Sequence, residues 1–161
     1  GSMQMGLPGA VGLSLAKKLK NEGGLVYCLV SDGELQGGMI WESALIAAQH
    51  KLDNLVVIVD NNGLQAMGKT NEVLNIEPLR DKWLDFGWSV TKIYGHSFEK
   101  IEYAIDGEDK SEFRKLSQAP EIIIANTTKG KGVSFMENNN LYHYKNLSEE
   151  EYNLALKELN I

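Results

Sequence analysis

Apolar positions along the chain switch between two periods. From Ala10 to Leu19 they recur at helical spacing, with Val11, Leu15 and Leu19 on one stripe, and Asn21-Glu22-Gly23-Gly24 breaks the pattern. This predicts a helix over 9–21. Leu25 to Val30 is an unbroken apolar run, which predicts a strand buried on both faces. Past Gly37-Gly38 a second helical pattern covers 40–50, and Leu55 to Val59 repeats the signature of a buried strand. Asn61-Asn62-Gly63 marks a turn. A polar loop and an amphipathic helix over 78–86 follow. Trp88 to Tyr94 alternates as a third strand, and short helices are predicted over 97–105 and 111–116. Glu121 to Asn126 reads as a fourth strand. Ser148 and Glu151 form a capping box ahead of a last helix that runs to about Leu159.

Strands separated by helices imply crossover connections. The expected fold class is therefore α/β, a parallel sheet with helices on both faces. The 161 residues suit one domain, spanning 1–161.

Composition narrows the function classes. With 43% hydrophobic and 24% charged residues the chain reads as globular, and a net charge of −6 argues against nucleic acid as a partner. An acidic protein can still take a polyphosphate if a divalent metal brings it. No apolar run approaches the ~18 residues of a membrane span, so no membrane partner is expected. With one cysteine, Cys28, no intramolecular disulfide can form, and the cytoplasm is the expected compartment. Cys28 is expected as a small buried residue of its strand.

In a parallel sheet, ligands bind beyond the carboxyl ends of the strands. The first strand runs out into Ser31-Asp32-Gly33-Glu34 and the second into Asp60-Asn61-Asn62-Gly63-Leu64. If these strands are neighbours, Asp32 and Asn62 meet at one edge. Asp32 then offers an anionic oxygen, Asn62 an amide oxygen, and the Leu64 carbonyl can supply a third. Magnesium takes six oxygens, so three places remain for phosphate and water. Gly33, without a side chain, lets backbone approach a phosphate. The other reading is two ordinary turns at strand ends. An apolar strand before each polar end, together with the terminal Asp60-Asn61-Asn62, favours the cation site.

That arrangement resembles the thiamine diphosphate motif, a Gly-Asp-Gly followed after roughly thirty residues by an Asn closing a buried strand. Ser31-Asp32-Gly33-Glu34-Leu35-Gln36 with Trp41-Glu42-Ser43-Ala44 is similar to the metal aspartate region of transketolases. Asp60 to Gln65, Glu77 to Trp83 and Phe86-Gly87-Trp88 resemble their second metal-binding stretch, and Thr127 to Glu137 resembles their Lys-Gly-Lys-Gly segment. The likeness covers nearly the whole chain. It is nearest to the amino-terminal subunit of a transketolase split into two subunits.

The resemblance implies a thiamine diphosphate-binding fold in which Asp32, Asn62 and the Leu64 carbonyl hold Mg2+, with Ca2+ or Mn2+ as substitutes. It places Gly33 and Glu34 near the diphosphate. Gly1 to Leu7 aligns with a glycine-rich loop, which puts Met5 and Gly6 against the cofactor ring. The implied activity is transfer of a two-carbon ketol unit between sugar phosphates. The implied partner is a pyrimidine-binding, C-terminal transketolase subunit, in a homodimer or heterotetramer. About a hundred residues that normally precede this point are absent from the sequence, so the domain is expected to be truncated at its N-terminus and not to turn over alone. The chain also departs from the family. Ser31 replaces the first glycine of the motif, and Gly37 stands where many members carry an acidic residue.

His143 lies in the region where the family places a histidine near the diphosphate, and it is the one catalytic candidate. His96 suits a structural turn, His50 a helix end, and Trp83, Phe86 and Trp88 the core. Lys129 and Lys131 are equally readable as phosphate neutralisers or as a solvated loop. Three alternatives stay open at this level. One is an inactive scaffold subunit that keeps the fold, another a thiamine diphosphate enzyme acting on a ketoacid, and the third a phosphotransfer protein using Asp32.

Overall fold

The computed structural model describes residues 3–161, so Gly1 and Ser2 of the expected glycine-rich loop lie outside the described residues. In chain order the elements are α1 (Gly6–Leu19), β1 (Val26–Ser31), α2 (Gly38–Gln49), β2 (Leu55–Asn61), a small hairpin of β3 (Leu64–Gln65) and β4 (Gly68–Lys69), α3 (Thr70–Val73), α4 (Leu79–Asp85), β5 (Ser89–Tyr94), α5 (Phe98–Asp106), α6 (Lys110–Ser117), β6 (Glu121–Asn126) and α7 (Glu149–Leu159). Tight 3-10 turns over Glu34–Gln36 and Asn140–His143 complete the set. The chain is α/β, as its periodicity implied.

Four strands form one parallel sheet in the order β1-β2-β6-β5. β1 and β2 are direct neighbours, and β6 returns between β2 and β5. Alternate strand positions point to opposite faces. One face carries the main core, in which Cys28, Val30, Val57, Val59, Ile122 and Ile124 pack against Leu7 and Val11 of α1, Ile40 and Ala44 of α2, and Leu79 and Trp83 of α4. Trp83 sits between Trp41, tilted against it at a centroid distance of 5.1 Å, and Trp88, which meets it edge-to-face at 4.8 Å. The indole N–H groups of Trp41 and Trp88 donate to the Leu35 and Ala44 carbonyls, which lets two amphipathic rings enter the core.

The second face is thinner. Val56 and Ile123 pack with Ala104 of α5, while Ile58, Ile93 and Ile105 sit partly buried around them. This cover stops short of β1. The expectation that β1 is buried on both faces is therefore corrected: Tyr27 is 47% and Leu29 72% exposed, while Val26, Cys28 and Val30 are buried. A continuous apolar run encodes burial on two faces only where a helix covers each, and α1 and α2 both lie on the same side.

At the amino end of the sheet, Glu121 is 1% exposed and ion-paired to Arg114 (Nε to Oε2, 3.0 Å) and to Lys110. Arg114 also donates to the Ile105 carbonyl at 2.7 Å. This buried cluster fastens α6 to the strands. The Ser148–Glu151 capping box is present at the start of α7, as the sequence predicted.

Candidate functional site

β1 and β2 pair in parallel register up to Ser31↔Asp60, and the Asp32 N–H donates to the Asp60 carbonyl at 3.2 Å. The two polar strand ends therefore meet at the carboxyl edge. Asp32 is 1% exposed. Its Oδ1 accepts from the Gly33 N–H at 2.7 Å and its Oδ2 from the Gly63 N–H at 2.6 Å, so one carboxylate bridges the two turns. Asn62 Oδ1 accepts from the Leu64 N–H at 2.9 Å, and its Nδ2 donates to Asp60 Oδ2 at 3.0 Å. Such a side-chain-to-backbone bond two residues on is an Asx turn. Gly63 completes it at φ +76°, a conformation few other residues accept.

Burial pushes the Asp32 carboxyl above its ordinary value. The N–H groups of Gly63 and Gly33 and the nearby Thr70 hydroxyl pull it back, and the charge of Asp60 adds a further push upward. A buried carboxylate beside a second acid is a place where a cation is favoured.

Asp32, Asn62, Gly63, Lys69, Thr70 and Glu77 line one cleft of about 400 Å³. The donor chemistry here is hard oxygen: a carboxylate, an amide and, beyond the turn, backbone carbonyls. Among the described residues no group of three or more His, Cys, Asp or Glu could ligate a metal. A cation at Asp32 would thus draw on amide, carbonyl and ligand oxygens, the mode that suits magnesium with a phosphate. In the cleft the buried Thr70 hydroxyl makes no full hydrogen bond, and the Gln65 side-chain nitrogen, packed next to Gly33, is also without a partner. Unpaired buried groups of this kind fit a polar ligand.

A larger hollow of about 760 Å³ opens on the other side of Asn62, against the thin face of the sheet. Its floor is apolar, with Leu29, Ile58, Ile93 and Ile123, and its rim carries Asp60, His96 and Lys129. Asn62 lines both hollows.

The remaining expected residues are placed as follows. Glu34 turns its carboxylate toward the chain's start, where Oε1 accepts from the Gln4 N–H at 2.8 Å. That bond ties the segment ahead of Met5 and Gly6 to the turn after Asp32. Met5 caps α1 and Gly6 opens it, close to Cys28. Leu64 opens the β3–β4 hairpin, half-buried. His143 is exposed, its ring 5.5 Å from that of Tyr144, and it lines neither hollow. His96 Nε2 accepts from the Thr128 N–H at 2.7 Å, a structural turn contact. Thr70 enters the site from geometry alone, because no residue spacing marks a side chain that folds back to the cleft past a hairpin, and the contact of Gln65 with Gly33 is likewise visible only in three dimensions.

Gly33 plays a part beyond approach to a phosphate. A Cβ placed there would lie 2.6 Å from Gln65 Oε1 and 3.0 Å from Gln65 Cβ, so the Gln65 side chain fills the space a larger residue would need. Gly33→Ala is expected to cost about 1–3 kcal/mol by overpacking. A urea titration compared with the unaltered chain checks it, and equal midpoints would refute the packing role.

The parallel α/β sheet thus joins, at its first two strand ends, a buried Asp to an Asn turn. The chain belongs to the family described as "Transketolase, thiamine diphosphate binding domain", whose model matches residues 2–160. It is 42% identical over 159 residues to an apulose-4-phosphate transketolase subunit of Actinobacillus succinogenes, covering 99% of this chain and 55% of that protein. It is 38% identical to the 6-deoxy-6-sulfo-D-fructose transketolase subunit SqwG of a Clostridium species, covering 99% of this chain and 56% of that one. The fold matches the crystal structure of Campylobacter jejuni transketolase with a TM-score of 0.85 and 32% identity, over 99% of this chain and 25% of that one. The chain thus spans little more than half the length of the split-enzyme relatives it matches.

Proposed function

We propose that this chain is the thiamine diphosphate-binding part of a two-subunit transketolase-like enzyme, holding the cofactor through Mg2+ at Asp32, Asn62 and the Leu64 carbonyl. The observation that carries the reading is the convergence of the buried Asp32 carboxylate and the Asn62 turn on one cleft. When bound, thiamine diphosphate supplies the carbon nucleophile and electron sink for moving a two-carbon ketol unit. The protein binds and orients. Asp32 offsets the metal's charge, Asn62 and the Leu64 carbonyl fix its position, and Gly33 and Glu34 border the diphosphate. Met5 and Gly6 border the ring from the start of α1, and His143 is the candidate for contact with the diphosphate or substrate.

The relatives are named for apulose 4-phosphate and for 6-deoxy-6-sulfo-D-fructose. Both are anionic sugars, so the proposed substrates are phosphorylated or similarly charged sugars. The partner is a separate pyrimidine-binding subunit, since the relatives are named as subunits.

Calorimetric titration with thiamine diphosphate tests this, run with magnesium, with EDTA, and with or without a candidate partner subunit. Binding that needs magnesium is expected. No binding under any of these conditions would overturn the proposal in favour of a scaffold that keeps the fold. A reconstituted complex that processes a ketoacid and no sugar would overturn the substrate class.

A further inference from the structure

Thr70 stands out among the residues around the cleft. It is 6% exposed, and its buried hydroxyl lies beside the Asp32 carboxylate without closing a full hydrogen bond to it or to any other group. Leaving such a group unpaired costs stability, and a native fold retains one only with a reason. The main chain of Thr70 is pinned from both sides of the site. Its N–H donates to the Gly63 carbonyl at 2.9 Å, in the turn that carries Asn62. Its carbonyl accepts from Gln36 Nε2 at 3.0 Å, in the turn that follows Asp32 and Gly33. Thr70 therefore spans the two turns and presents its hydroxyl beside the Asp32 carboxylate within the same cleft.

Each Asp32 oxygen already accepts one backbone N–H. These bonds hold the carboxylate from the two turns but leave its cleft side to whatever else can donate. A side chain that hydrogen-bonds a ligating carboxylate fixes its orientation, and the loss of such a partner typically weakens metal affinity by about 10–100-fold.

We infer that Thr70 is a positioning residue for the cation site: its hydroxyl donates to the Asp32 carboxylate when the cleft is filled and holds that carboxylate toward the metal. The inference rests on the proposed cation site at Asp32. It assigns the unpaired hydroxyl a partner in the loaded state, and it explains why the hairpin and α3 are tied back onto both turns. Threonine suits the place because its methyl group can pack while its hydroxyl turns inward.

The test uses Thr70→Val, which keeps shape and removes the hydroxyl, and Thr70→Ser, which keeps the hydroxyl. Magnesium affinity is measured by calorimetry at saturating thiamine diphosphate, with Mn2+ as a paramagnetic substitute read by electron spin resonance. The unaltered chain and both variants are each measured alone and with the candidate partner subunit, and thermal midpoints are recorded without ligand. Thr70→Val is expected to bind Mg2+ and Mn2+ at least about tenfold more weakly, with an unchanged or higher midpoint, because an unpaired buried group has been removed. Thr70→Ser is expected to remain within about threefold of the unaltered chain, a small part of that loss.

Equal metal affinity in Thr70→Val and the unaltered chain overturns the inference while leaving the cation site standing. Equal weakening in both variants, with lowered midpoints, also overturns it, since packing alone would then account for the effect. No metal-dependent binding by the unaltered chain overturns both the inference and the function on which it rests.

Discussion

Replacing Asp32 with Ala is expected to weaken magnesium-dependent binding of thiamine diphosphate by at least about a hundredfold, equivalent to roughly 2.7 kcal/mol or more. The reason is concentration of function. Asp32 is the one anionic group that is buried, bonded to both turns and exposed to the cleft. Its loss removes the charge that attracts the metal and also the bridge that aligns Gly33 with Gly63. Asp32→Asn separates these effects in part. It keeps the size, but its amide turns one acceptor into a donor facing either the Gly33 or the Gly63 N–H, and a buried donor left unpaired costs about 1–3 kcal/mol. Calorimetry with metal and cofactor reads the first effect and urea unfolding without ligand the second. Retention of metal-dependent binding within threefold in Asp32→Ala would remove Asp32 from the site.

The pH dependence has a definite sign. The folded carboxyl is raised above its ordinary value of 3.8 chiefly by burial. The folded chain thus holds this proton more tightly than the unfolded chain does. Without metal, the Asp32 contribution to stability falls as pH rises from about 3.8 through the folded value, and the penalty is complete above it. Magnesium held at the proposed site would offset that penalty by stabilising the ionised form.

The second large effect lies at the opposite end of the sheet. Glu121→Ala is expected to destabilise the fold by about 3–5 kcal/mol, since it strands Arg114 and Lys110, both largely buried, with no counter-charge. Denaturant unfolding at neutral pH measures it. The triple change Glu121→Leu, Arg114→Leu and Lys110→Met is expected to recover much of the loss, because replacing a buried charge cluster as a whole by apolar side chains is often neutral. A loss below about 1 kcal/mol in Glu121→Ala would mean that water reaches the cluster and screens the cations. Glu121 opens β6 at its amino end, whereas Asp32 and Asn62 lie beyond carboxyl ends. Cofactor affinity of the folded fraction should therefore stay unchanged.

The elements legible in the sequence are those marked by a purely local pattern. The strand over Glu121–Asn126 and the capping box at Ser148 follow from local pattern alone, because five of that strand's six residues are buried, on alternating faces of the sheet, and the cap is a side-chain-to-backbone bond within three residues. The pairing of Asp32 with the Asn62 turn was legible too, since adjacent parallel strands of similar length carry their ends to one edge. Other features depend on contacts that sequence period does not encode. The β3–β4 hairpin is two residues a side. Its role comes from Gln65 reaching Gly33 and Thr70 reaching back to Gly63, across gaps that no local pattern announces. The bare side of β1 escapes the sequence for a similar reason. An apolar run reports what a strand would bury, and only the position of the helices decides what it does bury.

That bare side has a practical consequence. β1 ends the sheet, so among the described residues its outer row of peptide groups has no strand partner, and the apolar ring of Tyr27 and the branched chain of Leu29 stand beside it. An open hydrogen-bonding rim next to a greasy strip is a template for edge-to-edge growth. The polypeptide handled by itself should be sticky in concentrated solution, and mild detergent or a charged residue in place of Tyr27, which lines neither hollow, would keep it dispersed without altering the carboxyl edge of the sheet.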